Sequence, residues 1–204
     1  MADILIVDDE SANLQLLSEL LARAGYQVRP ADHPQLAIDS ALGQPPKLIL
    51  LDVRMPEMDG FEVCRRLKQD ERTRDIPIIF ISALQDVQDK VRGFEAGGVD
   101  FISKPFQEQE VLARIRTHLN LRNMQLHLEQ KTAELRKLSQ ATENSPASVV
   151  VTDKNGTIEY VNPRFSEVTG YSAEEAIGHN PRVLKSGDLP ESYYKELWDT
   201  ILSG

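Results

Sequence analysis

Four short apolar runs in the first half of the chain each end in a chemically active side chain, which constrains the fold more than any other feature. Ile4-Leu5-Ile6-Val7 ends in Asp8 and Asp9, and Leu48-Ile49-Leu50-Leu51 ends in Asp52. The run from Ile76 to Ile81 ends in Ser82, and Phe101-Ile102-Ser103 ends in Lys104 and Pro105. Runs this short and this apolar read as strands buried on both faces, a property of parallel sheets covered by helices. The carboxyl ends of parallel strands share one edge, where open α/β sheets bind their ligands. Two acids, a third acid, a hydroxyl and an amine are therefore expected to converge.

The segments between the runs carry helical spacing. Strands are predicted at 3–7, 26–29, 47–51, 77–81 and 99–102, and helices at 11–24, 34–42, 60–69 and 86–96. Leu14, Leu17, Leu20 and Leu21 share one face of the first helix, with Ser11 as its expected N-cap and Gly25 as its stop. Residues 107–142 contain neither Gly nor Pro and are rich in Leu, Glu, Gln, Arg and Lys, which predicts one long helix. Leu112, Ile115 and Leu119 set one apolar spacing, and Leu121, Met124, Leu128, Leu135 and Leu138 a second, two residues out of phase and interrupted by Lys131. A parallel homodimer through this helix is expected, with an imperfect seam. Beyond Asn144-Ser145-Pro146, Val149–Thr152 and Thr157–Val161 predict a hairpin around Asp153-Lys154-Asn155-Gly156. Short helical patterns follow at 163–169, 172–176 and 190–202.

Composition excludes several classes. The formal net charge of −9 disfavours a nucleic-acid or anionic-membrane surface, so neither partner is expected. No apolar segment approaches the roughly 20 residues that span a bilayer, and Met1-Ala2-Asp3 lacks the basic start of a signal peptide. The sole cysteine, Cys64, lies in an amphipathic stretch and reads as a small hydrophobe. A cytoplasmic location is expected.

Three carboxylates at one sheet edge repel one another unless a cation joins them, and Mg²⁺ takes such oxygen ligands together with backbone carbonyls and water. Asp8, Asp9, Asp52 and the backbone carbonyl of Arg54 are the candidate Mg²⁺ ligands. Asp52 is the candidate nucleophile, since carboxylates form aspartyl-phosphates. Lys104 would neutralise a phosphoryl oxygen and Ser82 would hydrogen-bond another.

The segments Val7-Asp8-Asp9-Glu10, Leu51-Asp52-Val53-Arg54-Met55-Pro56-Glu57-Met58-Asp59-Gly60, Ile81-Ser82-Ala83 and Asp100 to Phe106 resemble the receiver domain of two-component response regulators. The resemblance covers residues 1 to about 120. It implies a flavodoxin-like α/β fold, a five-stranded parallel sheet in the order 2-1-3-4-5. It makes Asp52 the phosphoacceptor, with Asp9 and Asp52 on Mg²⁺ directly and Asp8 largely through water. Ser82 becomes the switch hydroxyl, Phe101 the switch aromatic, and the Lys104–Pro105 bond cis. A histidine kinase or phosphotransfer protein would be the donor, and receiver self-phosphorylation and dephosphorylation the only chemistry in the chain.

Residues 138–204 resemble the first part of a PAS domain, through Val151-Thr152-Asp153, Gly156-Thr157-Ile158, Tyr160-Val161-Asn162-Pro163 and Thr169-Gly170-Tyr171. Family members continue with three more strands, which implies an excised fragment with an open sheet edge. Pro181 stands where the light-sensing subclass has its adduct-forming cysteine, and no PAS cofactor is expected. His118, His127 and His179 read as solvated. The expected organisation is a receiver at 1–120, a helical linker at 121–142 and a truncated α+β PAS segment at 143–204, relaying to an output domain that the chain lacks. Two other readings are a non-phosphorylated adaptor or dimerisation module, and a small-molecule aspartyl-phosphate hydrolase. The hydrolase typically needs a second acid where Arg54 stands.

Overall fold

The computed structural model describes residues 3–83 and 87–181 and divides the chain into two compact units, residues 1–127 and 128–204. The first unit alternates β1 (Asp3–Val7), α1 (Ser11–Arg23), β2 (Gln27–Ala31), α2 (Pro34–Gly43), β3 (Leu48–Asp52), α3 (Gly60–Gln69), β4 (Ile78–Ser82), α4 (Val87–Glu95) and β5 (Asp100–Ser103). The five strands form one parallel sheet in the order β2-β1-β3-β4-β5, a flavodoxin-like fold. A long helix, α5, runs from Glu108 to Glu143.

Strand side chains alternate between faces, and both faces are covered. Leu5, Val7, Ile49, Leu51, Ile78 and Phe80 pack with Ala37, Ile38 and Ala41 of α2 and Phe61, Cys64 and Leu67 of α3. Ile4, Ile6, Leu48, Leu50, Ile79 and Ile81 pack with the leucines of α1 and with Val111, Ile115 and Leu119 of α5. Complete burial of β3 and β4 is why these runs are apolar throughout.

Three details depart from the sequence expectation. Glu10, not Ser11, is the N-cap of α1, because the Glu10 amide is held by Asp8 Oδ1 (2.9 Å) and its backbone stays extended. The second strand extends through Pro30 to Ala31. Proline is tolerated there because β2 is an edge strand, where one side of the backbone needs no partner. Third, His118 is not solvated: its side chain is only 15% exposed and its Nε2 lies 3.0 Å from Asp100 Oδ2.

In the second unit, β6 (Val150–Thr152) and β7 (Ile158–Val161) form an antiparallel pair, followed by α6 (Pro163–Thr169) and α7 (Ala173–Ala176). The Asp153 carboxylate accepts from the amides of Asn155 (2.9 Å) and Thr157 (2.7 Å) and closes the turn. A small core gathers Ile158, Val161, Phe165 and Ala176. Asn162 is buried and fully used: Oδ1 accepts from Val149 N (2.8 Å) and Phe165 N (3.1 Å), while Nδ2 donates to the carbonyls of Thr142 (3.0 Å) and Ala147 (2.9 Å). The helical pattern at 190–202 lies outside the described residues. Among the described residues, no helix is long and apolar enough to cross a membrane.

Candidate functional site

The site is assembled by the carboxyl ends of β1, β3, β4 and β5. Asp8 is fully buried, Asp52 nearly so, and Asp9 exposed; their carboxylate oxygens lie within 4.8 Å of one another. The Lys104 ammonium bridges the two buried acids, 2.9 Å from Asp8 Oδ2 and 2.7 Å from Asp52 Oδ1. Asn13, one turn into α1, donates to both oxygens of Asp8 (3.1 and 3.0 Å). The Arg54 amide donates to Asp52 Oδ2 (3.0 Å), which folds the β3–α3 loop back over the strand end.

That loop is clamped at its far side. Asp59 Oδ1 caps α3 by accepting from Glu62 N (2.8 Å), and Gly60 N donates to Val53 O (2.9 Å). A Cβ on Gly60 would overlap the Asp52 carbonyl oxygen, so only glycine lets α3 start this close to the acid. On the other side, Lys104 N donates to Ser82 O (2.9 Å), tying β5 to β4 at the site, and the Lys104–Pro105 bond is cis. Ser82 is buried at the end of β4.

One ammonium set against three carboxylates leaves the pocket about two charges negative. Burial pushes the Asp52 carboxyl above its ordinary range, the Asp8 charge adds to the rise, and the Lys104 contact and Arg54 amide only partly offset it. Burial also works against the Lys104 charge, but Asp52 and Asp8 outweigh it and hold its pKa up. A clustered oxygen donor set with excess negative charge fits a hard divalent cation such as Mg²⁺, with Asp9 offering the solvent-facing ligand. Beside this pocket runs an open cleft of about 520 Å³ lined by Arg54, Met55, Asp59, Asp89 and Arg92.

Phe101 does not join the carboxylates. Its ring packs on Phe80 (centroids 5.2 Å) and, edge-on, on Phe94 (5.3 Å), above Gly93 of α4. Its amide donates to Asp100 Oδ1 (2.8 Å), and the same carboxylate is held from α5 by Arg114 (2.6 Å) and His118 (3.0 Å). Burial would raise the Asp100 pKa, but these hydrogen bonds overcome it and keep the carboxyl below its usual range. Sequence reading missed Asn13 and the Asp100–Arg114–His118 cluster. An amide in the first helical turn after Asp8 was a usable signal for the former; nothing local marks the latter, because β5 and α5 meet only in the fold. Cys64 is a buried thiol donating to Ala96 O (3.2 Å), and burial pushes its pKa to about 11.

Comparison with known proteins gives a consistent result. The profile of the response regulator receiver domain matches residues 4–116, and that of a PAS domain matches residues 136–201. The chain is 46% identical over 125 residues to the DNA-binding dual master transcriptional regulator RpaA of Synechocystis sp., covering 58% of this chain and 49% of the relative. It is 35% identical over 180 residues to response regulator PleD of Caulobacter vibrioides, covering 88% of this chain and 39% of the relative. It thus spans about half or less of these curated relatives. A putative response regulator from Chloroflexus aurantiacus superposes with a TM-score of 0.57 at 35% identity, over 58% of this chain and 98% of that one.

Proposed function

The chain belongs to the response regulator receiver family, with a PAS domain after the receiver, and on that premise we propose that it accepts a phosphoryl group on Asp52 and relays the change along α5. The observation that carries this reading is Lys104 bridging Asp52 and Asp8 beneath an exposed Asp9. A histidine kinase or phosphotransfer protein is the proposed donor. An Asp52 carboxylate oxygen attacks phosphorus, the P–N bond breaks, and its electron pair leaves with the imidazole nitrogen, which takes up a proton. Asp8, Asp9, Asp52 and the Arg54 carbonyl would hold Mg²⁺, which would supply charge neutralisation on the transferring group. Lys104 then pairs with a phosphoryl oxygen in place of the Asp52 carboxylate, and Ser82 hydrogen-bonds another.

The consequence travels through β5. The Phe101 ring, already packed inward on Phe80 above Gly93, is held there once Ser82 turns to the phosphoryl group, and its backbone is tied by Asp100 to Arg114 and His118 of α5. A ligand shifts such a two-state element only by binding the two states differently, and the phosphoryl charge is that difference. A second copy of the chain, paired through the outer part of α5, and a cytoplasmic location complete the reading. The hydrolase alternative finds no support, since Arg54 lines the cleft where its second acid would stand.

Calorimetric titration tests the proposal. Beryllofluoride, a phosphoryl mimic, should bind at one site only when Mg²⁺ is present, and Asp52→Ala should remove that binding. Binding that is independent of Mg²⁺, or that survives Asp52→Ala, would return the chain to the adaptor class.

A further inference from the structure

Asp8 is fully buried, and both of its carboxylate oxygens are already engaged. Oδ1 accepts from the Glu10 amide (2.9 Å) and from Asn13 Nδ2 (3.1 Å). Oδ2 accepts from the Lys104 ammonium (2.9 Å) and from the same Asn13 Nδ2 (3.0 Å). A carboxylate offers about four lone-pair sites, so Asp8 has none to spare. Asp52 differs: Lys104 sits on Oδ1 and the Arg54 amide on Oδ2, which keeps a site open on each oxygen. Asp9 faces solvent.

The Asn13 amide has two hydrogens and three acceptors, since Nδ2 also donates to Glu10 Oε2 (3.0 Å). All three acceptors are carboxylate oxygens, which sets the amide with its nitrogen toward Asp8. The two oxygens of one carboxylate are too close together to meet the two hydrogens separately, so one hydrogen is shared between them. It lies across the mouth of the Asp8 carboxylate, the direction from which a cation would take both oxygens at once. When Lys104 turns to a phosphoryl oxygen, the Asn13 contact stays, because α1 carries it.

We infer, on the cation reading above, that Asn13 is a positioning residue that sets which cation the pocket takes: by closing the bidentate side of Asp8 it restricts that acid to contact through water and favours Mg²⁺ over Ca²⁺. Mg²⁺ demands a compact octahedron at about 2.0–2.1 Å, keeps several waters and needs only one or two carboxylates, which Asp9 and Asp52 supply. Ca²⁺ takes about 6–8 oxygens at about 2.3–2.6 Å and accepts bidentate carboxylates. An Asp8 released from Asn13 adds such a ligand, and the larger ion gains more from it.

Calorimetric titration of the 204-residue chain with Mg²⁺ and with Ca²⁺, beside Asn13→Leu and Asn13→Ala, reads the preference as a ratio of dissociation constants. In both variants the ratio should move toward Ca²⁺ by about tenfold or more, the scale on which groups behind metal ligands act. Terbium luminescence lifetimes in light and heavy water give a second readout: the bound ion should keep fewer waters in Asn13→Leu than in the wild type. Glu10→Gln, which leaves the Asn13–Asp8 contact in place, should change both affinities alike and keep the ratio. A ratio unchanged in both Asn13 variants, shown folded by circular dichroism, overturns the inference and leaves the cation reading intact. Loss of both cations from the folded Asn13 variants overturns it too, because Asn13 would then hold the site together rather than select its ion. If the wild type binds neither cation, or Asp52→Ala binds both as the wild type does, the cation reading itself fails and the inference falls with it.

Discussion

Gly93→Ala in α4 should weaken the response to a phosphoryl mimic without touching the pocket. A Cβ at residue 93 would overlap Phe101 Cζ and lie 3.1 Å from both Phe101 Cε2 and Phe61 Cε1. Overpacking of this kind costs about 1–3 kcal/mol, whereas alanine in a helix interior is favoured over glycine by about 0.8–1 kcal/mol. Phe101 is half-buried, so its ring has a way out: rotating outward removes the clash and keeps the helix gain. The inward ring is then disfavoured by up to about 2 kcal/mol, and since 1.4 kcal/mol is tenfold, the apparent affinity for beryllofluoride falls by about 5- to 30-fold. Calorimetry in saturating Mg²⁺ reads that affinity, and urea denaturation reads stability, which should change by less than about 1 kcal/mol. In a Phe101→Ala background the same substitution should be neutral or stabilising, because the clash has gone. Unchanged affinity in Gly93→Ala, or a penalty that persists in the Phe101→Ala background, would refute the coupling of ring position to the pocket.

Three further outcomes follow from the geometry. Asp100 has a depressed folded-state pKa, so its contribution is present above the unfolded value near about 4 and is lost as pH falls through the folded value. Asp100→Asn should therefore cost about 1–2 kcal/mol at pH 7 by urea denaturation, with the gap to wild type closing in more acidic buffer; a gap independent of pH contradicts this. Lys104→Met leaves Asp8 and Asp52 buried without their cation and should cost about 3 kcal/mol in metal-free buffer. Mg²⁺ should then raise its melting temperature more than that of wild type, as circular dichroism would show, and an equal Mg²⁺ response would argue against a shared cation site. Asn162→Ala removes four hydrogen bonds and should cost about 2–4 kcal/mol locally, read as faster amide exchange at Val149 and Phe165; unchanged protection there would mean that water replaces the side chain.

The strands were legible because β1, β3 and β4 are buried on both faces, and only unbroken apolar runs survive that environment. The carboxylates were legible because each follows its run directly, so parallel pairing alone brings Asp8, Asp9, Asp52 and Lys104 to one edge. What could not be read is contact between elements with unrelated periodicity. His118 looked like one more polar residue on a solvated helix, and its partner Asp100 looked like the start of a strand. Ser11 resembled a cap by local rule, but the demand of Asp8 for the Glu10 amide overrode it. Asn162 belonged to a recognisable segment, yet its bond to the Thr142 carbonyl joins residues twenty apart and leaves no local trace.

The central claim is that Asp52 takes the phosphoryl group, and peptide mapping of the chain after incubation with acetyl phosphate tests it most directly. One base-labile phosphoryl group should appear on the peptide containing Asp52, should require Mg²⁺, and should be absent from Asp52→Asn. No incorporation in the presence of Mg²⁺, or equal incorporation in Asp52→Asn, would contradict the account.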